Sequence, residues 1–194
     1  MELGRTQKLE IVRMVDFGAY LGTEEEQVLL PKKQVPEGAN VGDEVKVFIY
    51  RDSQDRLIAT VNKPLVELDE TAVLTVKEVS KNGAFLDWGL EKDLFLPYKE
   101  QTVSIKSGDK VLVGVYLDKS NRLCATMKAY KFLKCTSTYE PDDVVTGTVY
   151  NYNPEYGVFV AVDNKYSALI PAREAKGKYR PGTVLDLRVT KVKE

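Results

Sequence analysis

The chain has 194 residues, of which 43% are hydrophobic and 29% charged, and its formal net charge is −1. With no histidine and two cysteines, it lacks the side chains for imidazole-based catalysis, an ordinary zinc site or a disulfide framework. No run approaches the roughly 18 apolar residues of a membrane helix.

The remaining composition narrows the functional class. The first ten residues lack the apolar core of a secretory signal, and the acidic residues are scattered rather than grouped as metal ligands. We therefore expect a cytoplasmic protein with no membrane contact, no metal, no cofactor and no catalytic activity of its own. A near-neutral charge also predicts only modest affinity for a polyanion, because phosphate contacts supply much of that affinity.

Three similar units follow one another, over residues 8–60, 72–126 and 145 onwards. In chain order, each has a glycine followed by a small, an aromatic and an aliphatic residue, then an apolar residue with proline, then a turn glycine. The first glycines are Gly18, Gly83 and Gly157, the prolines Pro31, Pro97 and Pro171, and the turn glycines Gly42, Gly108 and Gly182. Recurrence in this order and spacing indicates an internal repeat.

Each unit is predicted to be β throughout. The runs at 45–49 and 111–117 are rich in β-branched residues, and the clusters at 52–55 and 118–121 are typical of hairpin turns. Five strands per unit is the count of an OB-type barrel. The sequence thus predicts an all-β fold of three tandem five-stranded OB-fold barrels, over residues 1–63, 64–134 and 135–194. The third is expected to be truncated before its last strand, with more chain following in the full protein.

The motif at residues 16–21, Asp-Phe-Gly-Ala-Tyr-Leu, the Gly-Asp turn and the closing turn at Asp55-Arg56-Leu57 resemble the S1 RNA-binding domain. The third unit resembles it most, and the resemblance covers almost the whole chain. Three such units, with Leu-Pro where many S1 domains carry histidine, are similar to the conserved virulence factor B (YitL-like) family of bacterial RNA-binding regulators. That resemblance implies a winged-helix domain after the third barrel.

The resemblance also implies an aromatic platform for unpaired bases. Its rings would be Phe17 and Tyr20 in the first unit, and Tyr156 and Phe159 in the third. On a regular strand, residues three apart lie on opposite faces, so we expect a bulge or kink at the intervening glycine. The second unit has Asn82 in the first position, which leaves Phe85 alone. The alternative is that these rings are barrel core.

Basic residues are expected to border the platform and contact phosphate. Arg56 and Arg122 precede the fifth strand, and the residues expected after the third strand include Lys33, Lys99 and Arg173. Lys178 and Arg180 belong with Arg173 to the densest basic cluster of the chain. Arginine suits this role because its planar fork donates paired hydrogen bonds to phosphate.

The sequence thus predicts a protein that binds single-stranded RNA, with single-stranded DNA as a weaker ligand, and that regulates bacterial expression after transcription. One alternative is a protein-interaction scaffold built from the same barrels. Another is an accessory domain of a nuclease or translation factor. Binding to RNA would weaken steeply with salt, whereas an apolar protein contact would not.

Overall fold

The structure is a computed structural model that describes residues 1–177 and 179–193. It contains fourteen strands and three short 3₁₀ turns in that part of the chain. The described residues include no helix of the length and apolar character that crossing a membrane would require. The fold is all-β, as the sequence predicts.

The first barrel is formed by five strands and is closed. They are β1 (Thr6–Val15), β2 (Gly18–Gly22), β3 (Gln27–Pro31), β4 (Glu44–Arg51) and β5 (Leu57–Thr60). The strand order is β1-β2-β3-β5-β4, and β4 pairs back onto β1. The pairing of β3 with β5 is parallel, while the other pairings are antiparallel.

The core of this barrel is filled by every second side chain along its strands. In β2 and β3, Ala19 and Leu21 point inward with Val28 and Leu30, and all four are buried. The residues between them, Tyr20 and Leu29, are half-buried and face outward. Period-two alternation places one set of residues in the core and leaves the other set to form an outer face.

The second barrel repeats this topology. Its strands are β6 (Thr71–Val79), β7 (Gly83–Asp87), β8 (Leu94–Pro97), β9 (Lys110–Leu117) and β10 (Leu123–Thr126). They close in the order β10-β8-β7-β6-β9. Leu74, Leu86 and Leu96 are among the buried core residues, each 1% exposed or less.

The third unit is a four-stranded sheet. Its strands are β11 (Val144–Asn153), β12 (Gly157–Val162), β13 (Tyr166–Pro171) and β14 (Val184–Arg188), in the order β13-β12-β11-β14. Val149, Val158 and Val160 are fully buried in its core. The described residues thus contain two closed five-stranded barrels and a third unit without a fifth strand, which confirms the predicted fold class.

The glycine that opens the second strand of each unit is required by close packing of backbones. A Cβ built on Gly18 would lie 2.2 Å from the carbonyl oxygen of Leu30 on β3. The corresponding distances are 2.4 Å for Gly83 and 1.9 Å for Gly157. No side chain fits at such distances, so this physical constraint explains why glycine recurs at this position.

The chain divides into two compact units. One comprises Met1–Leu68 together with Gly89–Asp93 and Leu117–Leu123, two loops of the second barrel. The other contains the rest of the second barrel and the third sheet. Within the latter, a buried cluster joins Leu112 of β9, Ala129 and Leu133 of the connecting segment, and Tyr150 and Ala161 of the third sheet.

Candidate nucleic-acid interface

A bulge in β1 shapes the outer face of the first barrel. The pairing of β1 with β2 shifts register between Ile11 and Arg13, so that Arg13 lies directly opposite Tyr20. Directly opposed residues of an antiparallel pair lie on the same face with their Cβ atoms about 5 Å apart. The Arg13 guanidinium carbon lies 4.4 Å from the centroid of the Tyr20 ring, a cation–π contact.

Phe17 completes an aromatic pair with Tyr20. It lies in the turn between β1 and β2, is 58% exposed, and its ring centroid is 6.3 Å from that of Tyr20, with the rings nearly perpendicular. The sequence predicts a bulge or kink at Gly18, and this glycine, which begins β2, has a φ of 155°, a backbone conformation that other residues rarely adopt. A register shift also lies on the neighbouring strand, β1.

A basic turn borders Phe17. The backbone N–H of Lys32 donates to the carbonyl oxygen of Phe17 at 3.0 Å, and Lys33 follows in the exposed 3₁₀ turn Lys32–Gln34. The other two units repeat this hydrogen bond, from Tyr98 to Asn82 and from Ala172 to Tyr156. It therefore brings the segments that carry Lys33, Lys99 and Arg173 to the same end of the candidate face in each unit.

The equivalent face of the second barrel has different chemistry. Phe85 is half-buried and contacts Phe95 of β8, with ring centroids 5.4 Å apart. The residue opposite Phe85 on β6 is Glu78, which is exposed. Lys99 is exposed in the 3₁₀ turn Tyr98–Glu100. This face therefore combines an aromatic pair with a carboxylate.

In the third unit the two candidate rings differ in exposure. Tyr156 is 57% exposed, while Phe159 is half-buried. Phe159 contacts Tyr130 of the connecting segment and Tyr150 of β11, with centroids 6.3 and 6.0 Å away. Burial raises the pKa of Tyr150 to about 12, although its hydrogen bond with Ser167 acts in the opposite direction. Phe159 is thus in part a packing residue.

Arg56 and Arg122 lie in hairpin turns and are engaged by carboxylates. Arg56 forms an ion pair with Asp52 at 2.8 Å, and Arg122 forms one with Asp55 at 3.2 Å. Burial alone would raise the pKa of Asp52, but hydrogen bonds from the backbone and side chain of Arg56 lower it. Both arginines remain more than half exposed, yet part of their charge is already neutralised.

The predicted basic cluster of the third unit is only partly described. Arg173 is exposed and lies 3.8 Å from a Glu174 oxygen, while Lys178 lies outside the described residues. Arg180 donates to the Ser104 carbonyl at 2.7 Å and to Asp109 at 3.1 Å, both in the second barrel. Hydrogen bonds from the Lys106 backbone and from Arg180 lower the pKa of Asp109. Arg180 therefore joins the third unit to the second barrel within one compact unit.

The sequence reasoning missed Arg13 and Tyr130. Alternating residues in β1 could have indicated that Arg13 lies on this strand. Its position opposite Tyr20, however, depends on the bulge, which the sequence does not reveal. Tyr130 belongs to the segment that connects the second and third units, and its contact with Phe159 depends on tertiary packing. Across residues 1–177 and 179–193, no three metal-binding side chains gather in a group that could hold an ion.

Comparison with known proteins places this chain in a family. The S1 domain profile matches residues 3–62 and 70–128, and the S1 RNA binding domain profile matches residues 138–194. YitL of Bacillus subtilis (strain 168) is 33% identical over 205 residues, covering 100% of this chain and 68% of its own length. Conserved virulence factor B of Staphylococcus aureus (strain MSSA476) is 26% identical, covering 96% of this chain and 66% of its own length.

One solved structure has the same fold over nearly the whole chain. It is a multidomain protein with nucleic acid binding domains from Streptococcus pneumoniae TIGR4, with a TM-score of 0.63 at 23% identity. The superposition covers 99% of this chain and 70% of that one. Together with the profile matches, these relatives show that the chain belongs to the S1 domain family, in the group that includes YitL and conserved virulence factor B.

Proposed function

We propose that this chain binds single-stranded RNA through stacking on exposed rings and through contacts of cations with phosphate. The observation that carries the proposal is the Phe17–Tyr20 pair on the outer face of the first barrel. A ring that is 58% exposed in a turn contributes little to the core, but it presents a flat apolar surface to a ligand. Unpaired bases stack on such rings irrespective of their sequence.

The surrounding cations supply the second half of the interaction. Arg13 lies over Tyr20, and Lys33 lies in the 3₁₀ turn whose Lys32 N–H donates to the Phe17 carbonyl. A nucleotide stacked on one of these rings would place its phosphate among these groups, and guanidinium and ammonium donors bind phosphate well. Each stacked base contributes about 1–3 kcal/mol by truncation, so a two-ring platform suits modest affinity.

In the other two units the proposed contacts are weaker or secondary. They are Phe85, Lys99 and Arg122 in the second barrel, and Tyr156, Phe159, Arg173, Lys178 and Arg180 in the third, with Arg56 adding to the first. We propose single-stranded DNA as a weaker ligand, because local contacts with the 2′-hydroxyl can favour RNA. The resemblance to conserved virulence factor B supports a role in post-transcriptional regulation of bacterial expression.

A protein-interaction scaffold is the second candidate function. The second barrel favours it, because Phe85 and Phe95 form an apolar surface beside the exposed carboxylate of Glu78. The net charge of −1 points the same way. Apolar surface of this kind is a common feature of contacts between proteins.

Titration of the chain with fluorescent RNA and DNA oligomers at two salt concentrations separates the two functions. Fluorescence anisotropy should show binding of unstructured RNA that weakens as salt rises, with DNA bound less tightly. The expected slope is about −0.7 per phosphate contacted in a plot of log affinity against log salt. Absence of RNA binding at low salt, or binding that does not respond to salt, would refute the proposal.

A further inference from the structure

The three units share a bulge at the same point of their first strand. The register shifts lie between Ile11 and Arg13, between Val76 and Glu78, and between Val149 and Asn151. In each case the residue after the bulge is directly opposite the platform aromatic of the second strand. The opposed pairs are Arg13 with Tyr20, Glu78 with Phe85, and Asn151 with Phe159. The equivalent position thus carries a cation in the first unit, an anion in the second and a neutral amide in the third.

In the first barrel this position holds an arginine available to a ligand. Arg13 is exposed and has no carboxylate within ion-pair distance among the described residues. By contrast, Arg56, Arg122 and Arg180 are each paired with an aspartate at 2.8–3.2 Å. The guanidinium carbon lies 4.4 Å from the Tyr20 ring centroid, and a guanidinium that contacts a ring in this way can still donate hydrogen bonds to phosphate.

In the second barrel the same position carries a carboxylate. Glu78 is exposed and lies opposite Phe85, so a phosphate drawn to a base stacked on that ring would meet a like charge. Two further features weaken this platform. Asn82 stands where the first barrel has Phe17, and the Phe85 ring already contacts Phe95.

In the third unit the position is neutral and the ring is covered. Asn151 is exposed and provides hydrogen bonds but no charge. The Phe159 ring opposite it contacts Tyr130 and Tyr150. The face therefore neither repels phosphate at this position, as Glu78 would, nor offers a free pair of rings like that of the first barrel.

We infer that the residue after the bulge decides how strongly each unit binds RNA, with Arg13 making the first barrel the principal site and Glu78 weakening binding at the second. This inference rests on the proposed function and adds to it that the three units are not equivalent. Arg13 is a direct ligand of the phosphate in this arrangement, and the carboxylate of Glu78 acts against binding.

Charge reversal at the two positions tests the inference in the full chain. Arg13→Glu is compared with Lys8→Glu, which makes the same charge change on β1 at an exposed residue paired with β4. Glu78→Arg is compared with Glu10→Arg, which makes the same charge change at an exposed residue of β1. Arg13→Gln removes the charge without adding one. The probe is a fluorescein-labelled uridine oligomer of about 10 nucleotides, a length in the range of one OB barrel, and melting curves verify folding.

Arg13→Glu should weaken RNA binding roughly 10- to 30-fold, because one attraction is lost and one repulsion gained. Arg13→Gln should weaken it about fivefold and reduce the salt slope by about 0.7. Glu78→Arg should tighten binding and steepen the slope by a similar amount. Both control variants should stay within about twofold of the wild type, because exposed charges distant from the ligand are screened.

Equal affinities for Arg13→Glu and Lys8→Glu would overturn the inference, as would equal affinities for Glu78→Arg and Glu10→Arg. In either case a wild-type chain that still binds RNA with a normal salt slope keeps the proposed function intact. A wild-type chain that fails to bind RNA removes both the inference and the function on which it rests.

Discussion

Replacement of Phe17 by alanine should separate RNA binding from stability. Phe17 is 58% exposed, so only about two fifths of its surface is buried. Full burial of a phenylalanine stabilises a protein by about 1.5–3 kcal/mol, so the buried part of Phe17 contributes roughly 1 kcal/mol. Loss of the edge contact with Tyr20 adds about 0.5–1.5 kcal/mol. We therefore expect the free energy of unfolding to fall by only about 1.5–2.5 kcal/mol.

The affinity for RNA should fall as well, in protein that is still folded, if a base stacks on the ring. Loss of one stacked base costs about 1–3 kcal/mol, which corresponds to a decrease in affinity of about 5- to 150-fold. Fluorescence anisotropy with an unstructured RNA measures the affinity, and urea denaturation of the same preparation measures the stability. Adding Tyr20→Ala should increase the loss of affinity further.

Two conservative replacements provide the controls. Phe17→Tyr keeps a flat ring and should retain nearly the wild-type affinity, whereas Phe17→Leu keeps an apolar side chain without a ring and should lose affinity. Both should unfold close to the wild type. The stacking mechanism is wrong if the folded alanine variant binds RNA as the wild type does, or if Phe17→Leu matches Phe17→Tyr.

Two further predictions concern stability. Phe159→Ala should lower the free energy of unfolding by about 2–4 kcal/mol, more than Phe17→Ala does, because the Phe159 ring packs on Tyr130 and Tyr150. Urea denaturation measures the difference, and an equal or smaller loss would show that this ring is not a packing residue. The pKa of Asp109 is lowered in the fold, so its contribution to stability is complete above its ordinary value of 3.8 and is lost as the pH falls through the lowered pKa. Thermal unfolding of Asp109→Asn should therefore occur below the wild-type temperature at neutral pH, and the difference should shrink in acid; a difference independent of pH would contradict this.

Repetition in the sequence was sufficient to predict most of the fold. The recurring glycine is required because the backbone of Leu30 approaches Gly18 too closely for any side chain, and a constraint this local leaves the same mark in every unit. Alternation around Tyr20 likewise follows from the period of a strand. The strand order, the barrel closure and the four strands of the third unit agree with what these patterns predict.

The candidate site was only partly predictable. The aromatic positions could be identified from the motif, but the environment of each ring could not. Phe159 is covered by Tyr130, from a segment 29 residues away in the sequence, and Arg56 and Arg122 are paired with aspartates. The partner of Arg56 lies four residues away in its own turn, but the partners of Phe159 and Arg122 depend on long-range packing, which residue spacing does not encode.

The sequence by itself determined the repeat, the β-strand pattern and the family, because these depend on side-chain period and on backbone constraints within short segments. Only the tertiary structure decided that Arg13 faces Tyr20 while Glu78 faces Phe85. Cross-strand neighbours are set by register, and a single bulge shifts every opposed pair beyond it. The difference between the first two barrels therefore emerges only when their strands are paired.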